Sequence, residues 1–370
     1  MKKRLNAVIP LLLVTSLILT ACSKEETKET TATTVATTAA TTAAGETTVA
    51  TTGATTDYKY GKIKLVGKEG ALCGIPLYVA YTKGFFAEEG FDVELISADT
   101  ETRKTYLNNG DIPVVNGDFQ FFPSIENGVN VKVIDGLHNG CIKFLVPKDS
   151  NITDIAQIKE LSAAGKLRIG VDEIGGTPHQ VASVWLEKNG ISALPADNKV
   201  TFLPFSDGNL QVTALENKEI DVAALWDPFG SVQEKTGDYR VIFDLATDPI
   251  FAGKYCCFLY GSNKWIEEKP EQLAALLRAY HKSQDWIANN PDESVKIVID
   301  GKFSSIEDTE LAVELIKHYE LPKEHEHTTR DVGEDVKYFA QELYSIGYLQ
   351  GDPAEFAKNN YVKIDLTLGQ

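Results

Sequence analysis

Polar and apolar residues alternate through Lys62-Ile63-Lys64-Leu65-Val66-Gly67, the period of a half-buried strand. A loop at Glu69 to Gly74 follows, then a helix from Pro76 to Glu89 stopped by Gly90, since proline suits a first helical turn and glycine an ending. Phe91-Asp92-Val93-Glu94-Leu95 alternates again, and Thr100 to Asn108 reads as a helix. Val114-Val115 and Val131 to Ile134 read as strands, with a short helix, Pro123 to Asn127, between them. Strands and helices taking turns predict a mostly parallel sheet covered on both faces.

The same order restarts after Pro147. Ile155 to Ala164 is a predicted helix, Leu167 to Val171 a strand, and Thr177 to Asn189 a helix closed by Gly190. Val200 to Leu203, Val222 to Leu225 and Val241 to Phe243 add strands. From Pro270 the pattern turns helical, over 270–289, 291–299, 306–318 and 332–346. The expectation is an α/β chain with two lobes.

In open α/β sheets ligands lie beyond the carboxyl ends of the strands. The loops at that end carry Cys73 and Gly74; Asn116, Asp118, Phe119 and Gln120; His138 and Cys141; Asp172, Gly175, Gly176 and Thr177; and Trp226, Asp227 and Phe229. Phe119, Trp226 and Phe229 suit stacking on a flat or apolar ligand, although core packing accounts equally well for Trp226 and Phe229. Asp118, Gln120, Asp172 and Asp227 suit hydrogen bonding. These loops hold no arginine, which counts against a strongly anionic ligand. His325 and His327 form a small pair better read as a solvated turn than as metal ligands.

The N-terminus has a different pattern. Lys2, Lys3 and Arg4 precede an apolar run from Ala7 to Leu19 that ends in Leu19-Thr20-Ala21-Cys22, an export signal too short for a stable membrane span. Leu-x-Ala-Cys resembles the bacterial lipobox, which implies that residues 1–21 are removed and that Cys22 carries the lipid. Ser23 to Thr56 is dominated by Thr and Ala and has no aromatic residue; such a stretch buries too little apolar surface to offset the entropy of ordering. Residues 22–57 are therefore expected to be a flexible stalk, tethering the protein on the outer face of the cell membrane. The remainder, about 310 residues, suits two domains. A formal charge of −17, from 36 basic and 53 acidic residues, excludes a general nucleic-acid binder, which needs a basic surface.

Pro76-Leu77-Tyr78-Val79-Ala80-Tyr81-Thr82-Lys83-Gly84-Phe85-Phe86-Ala87-Glu88-Glu89-Gly90-Phe91 through Leu95 resembles the first helix and strand of ABC-transporter solute-binding proteins of the nitrate, sulfonate, taurine and thiamine-pyrimidine group. Leu107-Asn108-Asn109-Gly110-Asp111, Ile169-Gly170-Val171 with Gly175-Gly176-Thr177, and Ala214 to Ala223 extend the likeness over most of the folded part. The resemblance implies a type II periplasmic-binding-protein fold, with residues 58–147 and 256–370 in one lobe and 148–255 in the other, and a ligand cleft between. It implies a monomeric, non-enzymatic receptor that delivers a small molecule or metal to ABC permease and ATPase subunits; a surface sensor is compatible with the same sequence. Gly175-Gly176-Thr177 matches the place where sulfonate and nitrate receptors aim a helix start at an anion, though the same residues also make an ordinary helix start.

Cys73, Cys141, Cys256 and Cys257 all fall where the chain is expected to border the cleft. Three roles stay open: soft-metal or iron–sulfur ligands with His138 as a nitrogen donor, disulfides of an exported protein, or thiols that pack or line the pocket. Eukaryotic thiamine-pyrimidine synthases share this fold and carry a Cys-Cys-Cys-Phe-Cys motif implicated in iron binding. Tyr255-Cys256-Cys257-Phe258-Leu259 resembles a reduced version with two of those cysteines, so an enzyme with a cysteine-bound iron centre is the rival class.

Overall fold

The computed structural model describes residues 57–67, 70–319, 321–322 and 326–370. The expected signal peptide, Cys22 and nearly all of the threonine-rich segment lie outside the described residues. Among the described residues, ten strands form two sheets. The first contains β1 (Gly61–Gly67), β2 (Phe91–Ser97), β3 (Val114–Asp118), β4 (Val131–His138) and, from late in the chain, β10 (Cys257–Ser262), in the order β2-β1-β3-β10-β4. The second contains β5 (Ile142–Pro147), β6 (Leu167–Val171), β7 (Val200–Pro204), β8 (Val222–Trp226) and β9 (Tyr239–Asp244), in the order β7-β6-β8-β5-β9.

The two orders follow one pattern, and in each the fourth place belongs to a strand reached from the other sheet. β10 is antiparallel to β3 and β4, and β5 is antiparallel to β8 and β9, while β1 pairs in parallel with β2 and β3, and β6 with β7 and β8. The expected parallel sheets are thus each interrupted by one crossing strand. The chain leaves the first sheet through Asn139-Gly140-Cys141 and returns to it over residues 245–256.

Helices cover the sheets where the periodicity places them. The predicted helix from Pro76 to Glu89 is two pieces, Ile75–Thr82 and Phe85–Glu88, because Gly84 adopts φ 77° between them, a conformation costly for residues with a Cβ. The helix expected from Ile306 begins at Thr309, where the Asp308 carboxylate accepts a hydrogen bond from the Leu311 N–H at 3.0 Å and acts as an N-cap. The long helix Pro270–Asn289 packs its buried face on the first lobe. Its Ser283 hydroxyl donates to the Pro76 carbonyl at 2.7 Å, and its Gln284 amide to the Leu137 carbonyl at 3.2 Å, which ties the end of β4 to the C-terminal helices. One apolar core runs through both sheets, and a smaller one around Leu145, Val212, Leu215 and Ile220 seats the helix Gly208–Glu216. Among the described residues no helix is long and apolar enough to cross a membrane.

Candidate functional site

Strand register brings the cysteines together. Cys257, the first residue of β10, lies opposite His138 at the end of β4 and opposite Asp118 at the end of β3. A register shift follows between Cys257 and Phe258, an irregularity of the kind that re-aims side chains at strand ends. Cys141 comes from the outgoing crossing, whose carbonyl accepts from the Asp227 N–H at 2.9 Å. One ligand atom each from His138, Cys141, Cys256 and Cys257 all lie within 4.8 Å of one another, and all four residues are buried.

The sulfur geometry is that of close thiols. Cys141 Sγ and Cys256 Sγ each stand 3.9 Å from Cys257 Sγ, far from the roughly 2.04 Å of a disulfide. All four cysteines are buried and none forms a disulfide, so the disulfide alternative is not realised here. Burial opposes ionisation of Cys256, but hydrogen bonds with the Cys141 and Cys257 thiols and the nearby His138 outweigh it and hold Cys256 well below the ordinary thiol range. Cys141 and Cys257 are pushed well above that range, mainly by their hydrogen bonds with neighbouring thiols: Cys141 with Cys256, and Cys257 with Cys141 and Cys256. Burial also works against a charged His138, yet the Cys73 sulfur, as hydrogen-bond partner and as charge, raises the imidazole above its usual value. His138 Nδ1 lies 3.3 Å from the Asn139 carbonyl, and Nε2, fully buried, has no hydrogen-bond partner of good geometry among the described residues.

The other predicted residues divide into two groups. Asp118 and Thr177 meet across the two sheets: the Thr177 hydroxyl donates to Asp118 Oδ1 at 2.6 Å, with both side chains buried. The anionic group facing the start of the helix Thr177–Lys188 is therefore the protein's own carboxylate, placed where a helix N-terminus favours negative charge. Gly176 is the N-cap of that helix, and the Gly175 N–H donates to His179 Nδ1. Trp226 Nε1 donates to Asp172 Oδ2 at 2.8 Å. Asn116 is buried, and its amide nitrogen has no partner among the described residues. Phe119 is stacked on Phe339 with ring centroids 4.4 Å apart, and Asp227 accepts from the Ser231 hydroxyl at 2.6 Å; both sit in packed surroundings. Gly74 caps the first helix beside Cys73. His327 is not in a solvated turn: its ring stacks on His281 at 3.9 Å, because the helix Pro270–Asn289 supplies a buried partner face.

Two residues near the cluster escaped the sequence reading. Arg103, from the helix Thr100–Asn109, is buried with Nη1 donating to the Asn116 carbonyl at 2.8 Å and Nη2 to Thr100 Oγ1 at 3.0 Å. Its charge interacts with Asp118 and Cys73, so a cation reaches the site from a helix although the loops have none. The available signal was its position four residues before buried Leu107, on the same helix face. Tyr319 stacks on His138 with centroids 5.3 Å apart. A cavity of about 660 Å³ ends on Tyr319 and on Tyr255, the residue before Cys256.

His179 yields a pH prediction. Burial holds its pKa down to about 4, and Nδ1 receives the Gly175 N–H and the Tyr348 hydroxyl, each at 2.8 Å, which fixes the neutral ring. The unfolded chain takes up this proton near pH 6.5, before the folded one does, so stability falls as pH drops from about 6.5 to about 4, by on the order of 3 kcal/mol. Urea melts across that window are expected to show the loss, and His179→Gln to flatten it; an equal slope in both proteins contradicts the assignment.

Residues 74–294 match the family model described as NMT1/THI5 like. A curated relative, YtlA of Bacillus subtilis (strain 168), is 23% identical over 254 residues, spanning 65% of this chain and 71% of YtlA. Among solved structures, the Candida albicans CA3427 gene product, described as having the generic periplasmic binding protein fold, superposes with a TM-score of 0.64 at 17% identity, covering 84% of this chain and 98% of that one. The Escherichia coli periplasmic aliphatic sulphonate binding protein SsuA superposes with a TM-score of 0.66 at 12% identity, covering 84% and 94%. The two-lobed periplasmic-binding-protein fold expected from the sequence is the fold observed.

Proposed function

We propose a function on one premise: this chain belongs to the NMT1/THI5-like family. It is an extracytoplasmic solute-binding protein that holds one small ligand between its two sheets and presents it to the permease and ATPase subunits of an ABC importer. The observation that carries this reading is the convergence of Cys73, His138, Cys141, Cys256 and Cys257, from segments far apart in the chain, at the place where both crossings pass between the sheets. A ligand there contacts the crossings that join the two halves, so its binding energy biases their relative position. The likeness to a sulphonate-binding protein supports capture over catalysis. The Leu19-Thr20-Ala21-Cys22 sequence supports a lipid on Cys22, with the following segment as tether.

Two measurements test this. In a lipoprotein-processing bacterium the wild-type chain is expected in the membrane fraction with a lipid-modified Cys22 at its N-terminus, and Cys22→Ser in the soluble fraction; equal partition of the two overturns the tether. Material bound by the purified protein is expected to come off chemically unaltered on dilution. Release of an altered product from a pyrimidine precursor overturns capture in favour of the iron-dependent enzyme.

A further inference from the structure

We propose that the cargo is a single thiophilic metal ion of filled d shell, zinc(II) or copper(I), bound by Cys141, Cys256, Cys257 and His138. This rests on the capture reading above and names its ligand. A metal with thiolates at about 2.3 Å sets its sulfur pairs roughly 3.8–4.0 Å apart in tetrahedral or trigonal geometry. Two sulfur pairs, Cys141 with Cys257 and Cys256 with Cys257, stand at 3.9 Å. The four donor atoms already share one small space, within 4.8 Å of one another.

Thiols packed as small apolar groups also touch at such distances, so the imidazole decides between the two. His138 is fully buried, and beside the Asn139 carbonyl its imidazole is partnered by the Cys73 sulfur, a weak hydrogen-bonding group. A metal on the imidazole replaces that poor partner with a strong one. The three sulfurs and one nitrogen include no carboxylate, which excludes a hard cation and suits a soft one. A cuboidal iron–sulfur cluster attaches each cysteine to a different corner and so needs the sulfurs spread wider than they are.

Coordination here is ligand exchange without redox change: the ion sheds water, and each thiol that is protonated beforehand gives its proton to solvent. Cys73 lies beside His138 and Cys257, outside the group of four. Arg103 supplies compensating positive charge from the first lobe.

The test uses the full mature chain, reduced and without oxygen, titrated with zinc(II) and with copper(I) against a chromophoric chelator, and with cobalt(II) as a spectroscopic probe. The expected result is one ion per chain, released by excess chelator with the protein still folded. With cobalt(II), thiolate charge-transfer bands and tetrahedral d–d bands are expected in the wild type, a readout that needs no variant. Cys141→Ser, Cys256→Ser and Cys257→Ser are each expected to lose more than the 10–100-fold typical of an outer-shell partner, and Cys73→Ser less than these. An ion that leaves only on unfolding is structural and overturns the cargo assignment. Several irons per chain with acid-labile sulfide, or affinity unchanged in all four variants, overturn the single-ion site. If no ion is held against chelator while an organic molecule is bound reversibly, the metal inference fails and the capture reading stands; if nothing is bound reversibly, both fail.

Discussion

Gly140→Ala is expected to lower the free energy of unfolding by about 2–4 kcal/mol, the sum of overpacking and of a left-handed backbone in a residue with a Cβ. Gly140 sits at φ 73° in the outgoing crossing, and a Cβ there would lie 2.4 Å from the Ala246 Cβ and 3.1 Å from its Cα. Ala246 belongs to the returning segment, so one methyl group pushes the two crossings apart. Relief by rotating a flexible side chain is not available, because the contact is with another short residue and its backbone. The next residue is Cys141, and the same displacement carries its sulfur away from Cys257. Urea denaturation is expected to show a lower midpoint at unchanged slope, together with weaker ligand retention. A midpoint within error of the wild type contradicts the close approach of the crossings.

Arg103→Met is expected to cost about 2–4 kcal/mol, the range for charged hydrogen bonds lost from a buried site whose remaining groups stay unpaired. The substitution leaves the Asn116 carbonyl without the guanidinium that reaches it at 2.8 Å, and it removes the cation whose field reaches Asp118 and Cys73. Arg103→Lys keeps the charge but lacks the planar fork that bonds Asn116 and Thr100 together, so an intermediate loss is expected. If Met and Lys behave alike, the charge has no part and only the hydrogen bonds matter.

The fold was largely legible in the sequence because its signals are local. Alternation in 62–67 and 91–95, and the glycine stops at Gly90 and Gly190, mark elements whose position depends on neighbours in the chain. Gly84 falls inside the helix that the sequence predicts because a left-handed residue leaves no mark on hydrophobic periodicity. The crossings were less legible: β5 and β10 read as ordinary strands, and only pairing with distant partners shows that each runs against its sheet.

The same division holds for the site. That Cys73, Cys141, Cys256 and Cys257 border one region followed from their place at loops and crossings. That Cys257 faces His138 while Cys141 lies 3.9 Å away is set by register between strands more than a hundred residues apart, which no local pattern encodes. Asp118 and Thr177 each suit a ligand when taken from the sequence alone, and their bond to one another across the sheets depends on how the lobes meet. Arg103 is not visible in the loop sequences because it enters from the buried face of the helix Thr100–Asn109.

The proposed function requires a ligand held among the thiols and the imidazole where the crossings leave and re-enter the first sheet. Native mass spectrometry tests it most directly, on wild-type and Cys256→Ser/Cys257→Ser chains isolated without oxygen from the membranes of the producing cells and matched by circular dichroism. The expected result is one added mass per wild-type chain, removed by dilution if organic or by excess chelator if a metal ion, and none on the variant. Two proteins that both carry the bare mass of the chain, or both carry the same addition, contradict it.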